Sequence, residues 1–228
     1  ERRFEDVQQL AHELVFDLHD AIATLPGSTK VRELLVRRAA AYLDRLAPDA
    51  AADARLQREI ASAWEKLGDV QGGYNANLGD DAGALESHTK AVAIREAIFR
   101  SAASTPEDQK ALARAEGSLC RMRGKAGDKA ALSHYRRGLG LLESAPGPAD
   151  AATRRAIAIA HFNIAGALTD AGDLAGALLE KRREFGIYEE VYAAAPEDRS
   201  NQRNLALGCK YLGGLLERTG DPVAARPL

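Results

Sequence analysis

The stretch HELVFDLHD at residues 12–20 sets His12 and His19 seven positions apart, with Glu13, Asp17 and Asp20 close by. On a helix, two histidines at i and i+7 share a face and could hold a divalent cation. A zinc site asks for more. The HExxH spacing is absent, and no third ligand stands at a fixed distance. The pattern reads as a solvated polar face. A second candidate is the glycine-rich run KLGDVQGGYNANLGDDAGAL, residues 66–85. Gly72-Gly73 lacks the lysine and hydroxyl residue that follow the glycines of a phosphate loop. Asp69, Asn75, Asn77 and Asp80 miss the calcium-loop positions, and no glutamate closes such a loop at its twelfth residue. There is no GxSxG, Walker or dinucleotide motif. The expectation is no catalytic residue, no metal and no cofactor.

Composition narrows the partners. Across 228 residues the net charge is −2, which gives no electrostatic reason to expect nucleic acid or an anionic membrane. Aromatics are only 5%, so alanine and leucine must supply the core, and that favours helices packed at close range. Cys120 and Cys209 form no CxxC and are expected as buried small apolar residues. No apolar run reaches the length of a membrane span.

The elements that position these residues show a period. Glycine-aspartate pairs stand at Gly79-Asp80, Gly127-Asp128, Gly172-Asp173 and Gly220-Asp221, at intervals of 48, 45 and 48 residues. A fixed period of this size points to stacked helix pairs. His161, Ile164, Ala165 and Leu168 mark one helical face before such a pair, and Leu174, Ala177, Leu178 and Lys181 follow it. Glycine supplies the left-handed turn and aspartate caps the next helix, which runs to about Ala195 and stops at Pro196. The triplet Leu67-Gly68-Asp69 continues a helix, whereas Leu78-Gly79-Asp80 is the turn. The stretch from Gly72 to Leu78 therefore carries about four extra residues. Gly68, Cys120, Ala165 and Gly213 are expected where paired helices approach closely. Near the N-terminus, Phe4, Val7, Ala11, Leu14 and Leu18 alternate in steps of three and four, as in a coiled-coil seam. This amphipathic helix packs on the first helix pair or serves as a self-association seam of a homodimer. A second helix follows Pro26-Gly27-Ser28, from about Lys30 to Ala47.

The pattern resembles the tetratricopeptide repeat. Trp64-x2-Leu67-Gly68 matches the opening of that family's motif. Ala84-x3-His88-x2-Ala91 and Ala131-x3-Tyr135-x2-Gly138 match its second helix, while Lys181 and Glu184 depart from it. The resemblance implies an all-α fold, a right-handed superhelix (α-solenoid) of antiparallel helix pairs with about ten helices. The expected division is an N-terminal helical hairpin over 1–49 and repeats at about 50–103, 106–145, 149–196 and 198–228. It further implies a concave groove for a protein or peptide ligand, lined by Lys66 and Asp69, by Arg114, Ser118 and Arg121, by Phe162 and Asn163, and by Lys210 and Tyr211. In several members an asparagine and basic residues clamp a peptide carboxylate, and Asn163 falls at the place of that asparagine.

Residues 2–47 and 68–97, with the later glycine-aspartate units, resemble more narrowly the C-terminal region of bacterial membrane-bound serine/threonine protein kinases. That resemblance implies a sensing module on the outer side of a membrane-anchored parent, joined to it just before Glu1. The segment itself holds no glycine-rich phosphate loop, HRD or DFG, so it is expected to be non-catalytic and to make no membrane contact of its own. The alternative is a stand-alone intracellular adaptor that binds a peptide in its groove.

Overall fold

The computed structural model describes residues 29–48, 50, 53–73, 77–125, 127–128 and 130–220. Among them are eight α-helices and no strand. They are α1 (Thr29–Leu46), α2 (Ala54–Gly72), α3 (Asp81–Arg100), α4 (Pro106–Lys125), α5 (Ala131–Glu143), α6 (Ala151–Asp170), α7 (Leu174–Ala194) and α8 (Arg199–Arg218). The seam Phe4, Val7, Ala11, Leu14 and Leu18 and the histidines His12 and His19 lie outside the described residues. So do the first and last of the ten expected helices. The chain divides into two compact units, Glu1–Asp108 and Gln109–Leu228.

The helix boundaries follow from side chains that satisfy otherwise unpaired amides. Asp53, Asp80, Asp150, Asp173 and Asp198 each open a helix by accepting a bond from an amide of its first turn. Thr105 and Asp108 cap α4 reciprocally: Asp108 accepts from the Thr105 amide at 2.9 Å, and the Asp108 amide donates to Thr105 Oγ1 at 3.3 Å. At the other ends, Gly79, Gly127, Gly172 and Gly220 take φ of 75, 72, 82 and 83°, the region that side chains rarely adopt. The Asp128 amide then donates to Arg123 O, and the Asp173 amide to Leu168 O, each at 2.9 Å and each five residues back. In the enlarged turn the Asp80 amide reaches Gln71 O, nine residues back, at 2.9 Å. The closing bond is kept and four residues are inserted inside it. Asn77 fastens the insertion, donating to Gly73 O and accepting from the Gly79 amide. Gln71 joins Asp80 and Ser87 across it.

In the first unit α2 packs on α3, and α1 on α2. Val36, Ala39, Leu43, Ile60, Trp64, Leu67 and Ala91 form the core. Gly68 faces the buried His88 ring so closely that a Cβ there would lie 2.7 Å from His88 Nε2. Glu65 of α2 meets Arg95 of α3 at 2.8 Å, and Arg58 of α2 meets Asp108 at 2.8 Å. In the second unit α6 packs on α7, with α5 against α6 and α8 against α7. Cys120, Tyr135, Ile164, Ala165, Leu168, Ala177 and Leu215 form its core. Buried Glu116 of α4 holds His134 at 2.8 Å and Arg137 at 2.5 Å, both on α5. Cys120 is buried, donates to Ala131 O, and has its thiol pushed up to about 12 by burial. Cys209 is half-buried, and both cysteines are free. At Gly213 a Cβ would meet no described atom within 4 Å, and the close approach expected there lies outside the described residues. The helix that the repeat would set against it falls in residues 221–228.

Two outcomes follow from this packing. Gly68→Ala should destabilise the first unit by ~1–3 kcal/mol through overpacking against His88. Gly117→Ala, whose Cβ would meet no described atom within 4 Å, should stabilise by ~0.5–1 kcal/mol through the gain in helix propensity. Urea denaturation of both variants checks the opposite signs. The second outcome concerns Asp108, whose carboxyl is held at about 2, below its ordinary 3.8, chiefly by the hydrogen bond from Arg58. A depressed carboxyl contributes stability above its unfolded pKa and loses it as pH falls through the folded one. Asp108→Asn should therefore cost about 2 kcal/mol at pH 7. The difference from the parent should vanish between about pH 4 and pH 2 in denaturation curves taken across that range.

Candidate functional site

Within the second unit, α6, α7 and α8 line an open cavity of about 440 Å³. Helix α6 supplies Phe162, Gly166, Thr169 and Asp170 to its wall. The first three are spaced at i, i+4 and i+7 and so share a face. Helix α8 supplies Lys210, Tyr211, Gly214, Leu215 and Arg218. Gly166 and Gly214 leave space where side chains would project. From α7 comes Lys181 alone.

Lys181 organises the cavity. Its ammonium stands 3.8 Å from the centroid of the Phe162 ring and 4.9 Å from that of Tyr211. The two rings meet edge to face at 5.5 Å. A cation over ring faces is attracted by their quadrupoles, most strongly where water is excluded. Lys181 also bonds Glu184 Oε2 at 2.8 Å, and the two residues are only 8% and 2% exposed. Burial pushes the Lys181 amine down and the Glu184 carboxyl up. The neighbouring Tyr188 phenol is likewise raised by burial, to about 12. Beside Phe162 on α6, buried His161 meets Glu180 of α7 at 2.6 Å.

The position of Lys181 explains the departure from the repeat motif. Ala84, Ala131 and Ala177 are buried at the first motif position of the three second helices. His88, Tyr135 and Lys181 are buried at the next, and Ala91, Gly138 and Glu184 at the third. The register is the same in all three helices. In α7 the two inward positions, three residues apart on one face, are filled by opposite charges that pair with each other.

Of the expected groove residues, Phe162, Lys210 and Tyr211 come together at this cavity. Asn163 is half-buried on α6 and is not part of the cavity wall. Arg114, Ser118 and Arg121 share a face of α4, the arginine at 114 exposed and the other two half-buried. In the first unit Lys66 is exposed, and Asp69 lies 3.7 Å from His88 Nε2. Sequence reasoning missed Lys181, Asp170 and Arg218 as cavity residues. Gly166 and Gly214 carried a usable signal, being on the helical faces of Phe162 and Tyr211. Among the described residues no three histidine, cysteine or acidic side chains cluster as a metal site would require. No described helix is long and apolar enough to cross a membrane.

The buried pair predicts an asymmetric mutational response. Lys181→Met leaves Glu184 buried without its counter-ion and should cost ~3–5 kcal/mol. Adding Glu184→Leu should recover most of that loss, since an apolar replacement of both partners removes the stranded charge. Thermal denaturation of the single and double variants measures the difference.

No family model matches the chain, and no curated protein matches it closely enough to count as a relative.

Proposed function

We propose that this chain is a non-catalytic protein-interaction module whose helix pairs continue into a tetratricopeptide-like α-solenoid, and that it binds a peptide through the cavity between α6, α7 and α8. The observation that carries the reading is the convergence there of Phe162, Lys210 and Tyr211, three residues chosen from the sequence as groove positions. Aromatic anchors around a concave pocket are the usual source of binding energy at such surfaces. Lys210 and Arg218 stand at the same cavity opposite a single carboxylate, Asp170, which favours an acidic over a basic peptide side chain.

On the same reading, the segment is the extracytoplasmic sensing part of a bacterial serine/threonine protein kinase. Support for this comes from the sequence of residues 2–47 and 68–97 and from the N-terminal seam, through which paired copies would bring kinase domains together. The second reading, a stand-alone intracellular adaptor, is favoured by the two free cysteines. The gene sequence upstream of Glu1 separates the two, by kinase motifs and a membrane span or by neither.

A random peptide display library selected against residues 1–228 should yield acidic binders measurable by calorimetry. Phe162→Ala and Tyr211→Ala should each weaken them by about 2 kcal/mol, roughly thirtyfold. Glu143→Ala, exposed on α5 away from the cavity wall, should leave them unchanged. Binders indifferent to both aromatic variants would sink the proposal.

A further inference from the structure

The interaction reading leaves one chemically unusual group unused: a lysine amine in the wall of a cavity, backed by a carboxyl 2.8 Å away and flanked by two aromatic faces. We propose that Lys181 is a covalent capture site for carbonyl compounds, forming a reversible imine with an aldehyde or ketone that enters the cavity, with Glu184 carrying the proton. This inference stands independently of peptide binding.

The geometry supplies each requirement of the reaction. The amine must shed a proton before it can attack. Glu184 Oε2 already receives a hydrogen bond from Nζ, so the proton moves along an existing contact. Burial favours the neutral forms of both partners and is a stronger influence on Lys181 than the bond to Glu184. An exposed lysine keeps well under one amine in a thousand unprotonated at neutral pH. Each unit by which burial lowers its pKa raises that fraction about tenfold.

The steps balance. The Lys181 ammonium passes one proton to the Glu184 carboxylate, which leaves a neutral amine and a neutral acid. Nζ adds to the carbonyl carbon, and a second proton shifts from nitrogen to the former carbonyl oxygen to give a carbinolamine. Glu184 then returns its proton to the hydroxyl, which departs as water while the carbon–nitrogen double bond forms. The product is a protonated imine with the charge of the original ammonium, held by the same carboxylate and the same ring faces. Nothing is oxidised or reduced.

The cavity also limits the ligand. Phe162, Tyr211 and Leu215 favour an aromatic or branched apolar body, and Lys210 and Arg218 favour an anionic substituent on it. The chemical class is therefore an aromatic or apolar aldehyde or ketone that carries a carboxylate.

The test treats residues 1–228 with 4-formylbenzoate at neutral pH, traps imines with cyanoborohydride, and maps modified lysines by mass spectrometry. Lys181 should be labelled at least tenfold faster than exposed Lys66 and Lys125. Benzaldehyde, which lacks the carboxylate, should label it more slowly than 4-formylbenzoate does. Glu184→Gln should slow labelling of Lys181 at least tenfold without altering that of Lys66, with circular dichroism confirming that the variant is folded. Labelling confined to exposed lysines, with Lys181 untouched in the parent protein, would overturn the proposal, and that arm needs no variant.

Discussion

A helix that reverses within a few residues must satisfy its last carbonyls while the backbone passes through the left-handed region. At the turns after α2, α4 and α6 that constraint is met the same way. A glycine takes the positive φ, and the amide of the following aspartate closes back on the helix. At Asp80 and Asp173 the side chain of the same residue caps the next helix. One residue thus ends one helix and starts another, and the register of the pair follows. It sets Gly68 under His88, Cys120 against Ala131 and Ala165 in the core. It also brings Lys181 to the cavity. Extra residues are tolerated inside the turn if the closing bond survives, as between Gln71 and Asp80.

The turns and close approaches were legible because their causes are local. Glycine followed by aspartate states its conformation and its hydrogen bond directly, without any knowledge of the partner helix. The four-residue insertion was legible for the same reason, as a spacing error between one helix glycine and one turn glycine. Gly213 was read by analogy with Gly68. The analogy needs a second helix opposite it, and no described atom lies near the position of its missing Cβ. The seam at Phe4 to Leu18 is equally plain as a pattern, but a heptad repeat names a face and not what covers it.

The buried charges were not legible. Glu116 is fully buried on a helix that otherwise reads as polar, and its partners His134 and Arg137 stand 18 and 21 residues away. Nothing in the local sequence separates it from the exposed glutamates nearby. Lys181 and Glu184 were visible only as breaks in the motif, because a lysine and a glutamate three apart on a helix are usually a surface pair. The cavity was hidden too. It is made by what is missing at Gly166 and Gly214, and glycine within a helix announces weakness before it announces space.

The ion pairs between helices have an order that bears on how similar helix pairs avoid mispairing. In α2 and α4 the first helix carries the acid, Glu65 or Glu116, and the second carries the bases, Arg95 or His134 with Arg137. In the hairpin of α6 and α7 the order is inverted: His161 is on the first helix and Glu180 on the second. A hairpin of α4 with α7 in the same register would set buried Glu116 against Glu180, with Arg183, at the place of Arg137, left to serve both carboxylates. A hairpin of α6 with α5 would set His161 against His134 and Arg137. Either error exchanges a complementary contact for one between like groups, which counts against the wrong pairing. Apolar residues at these positions would serve stability as well or better, since an apolar pair fits any partner of the right size. What they would not do is distinguish α5 from α7. In a chain whose second helices share one register, the inverted order of acid and base marks which hairpin is which.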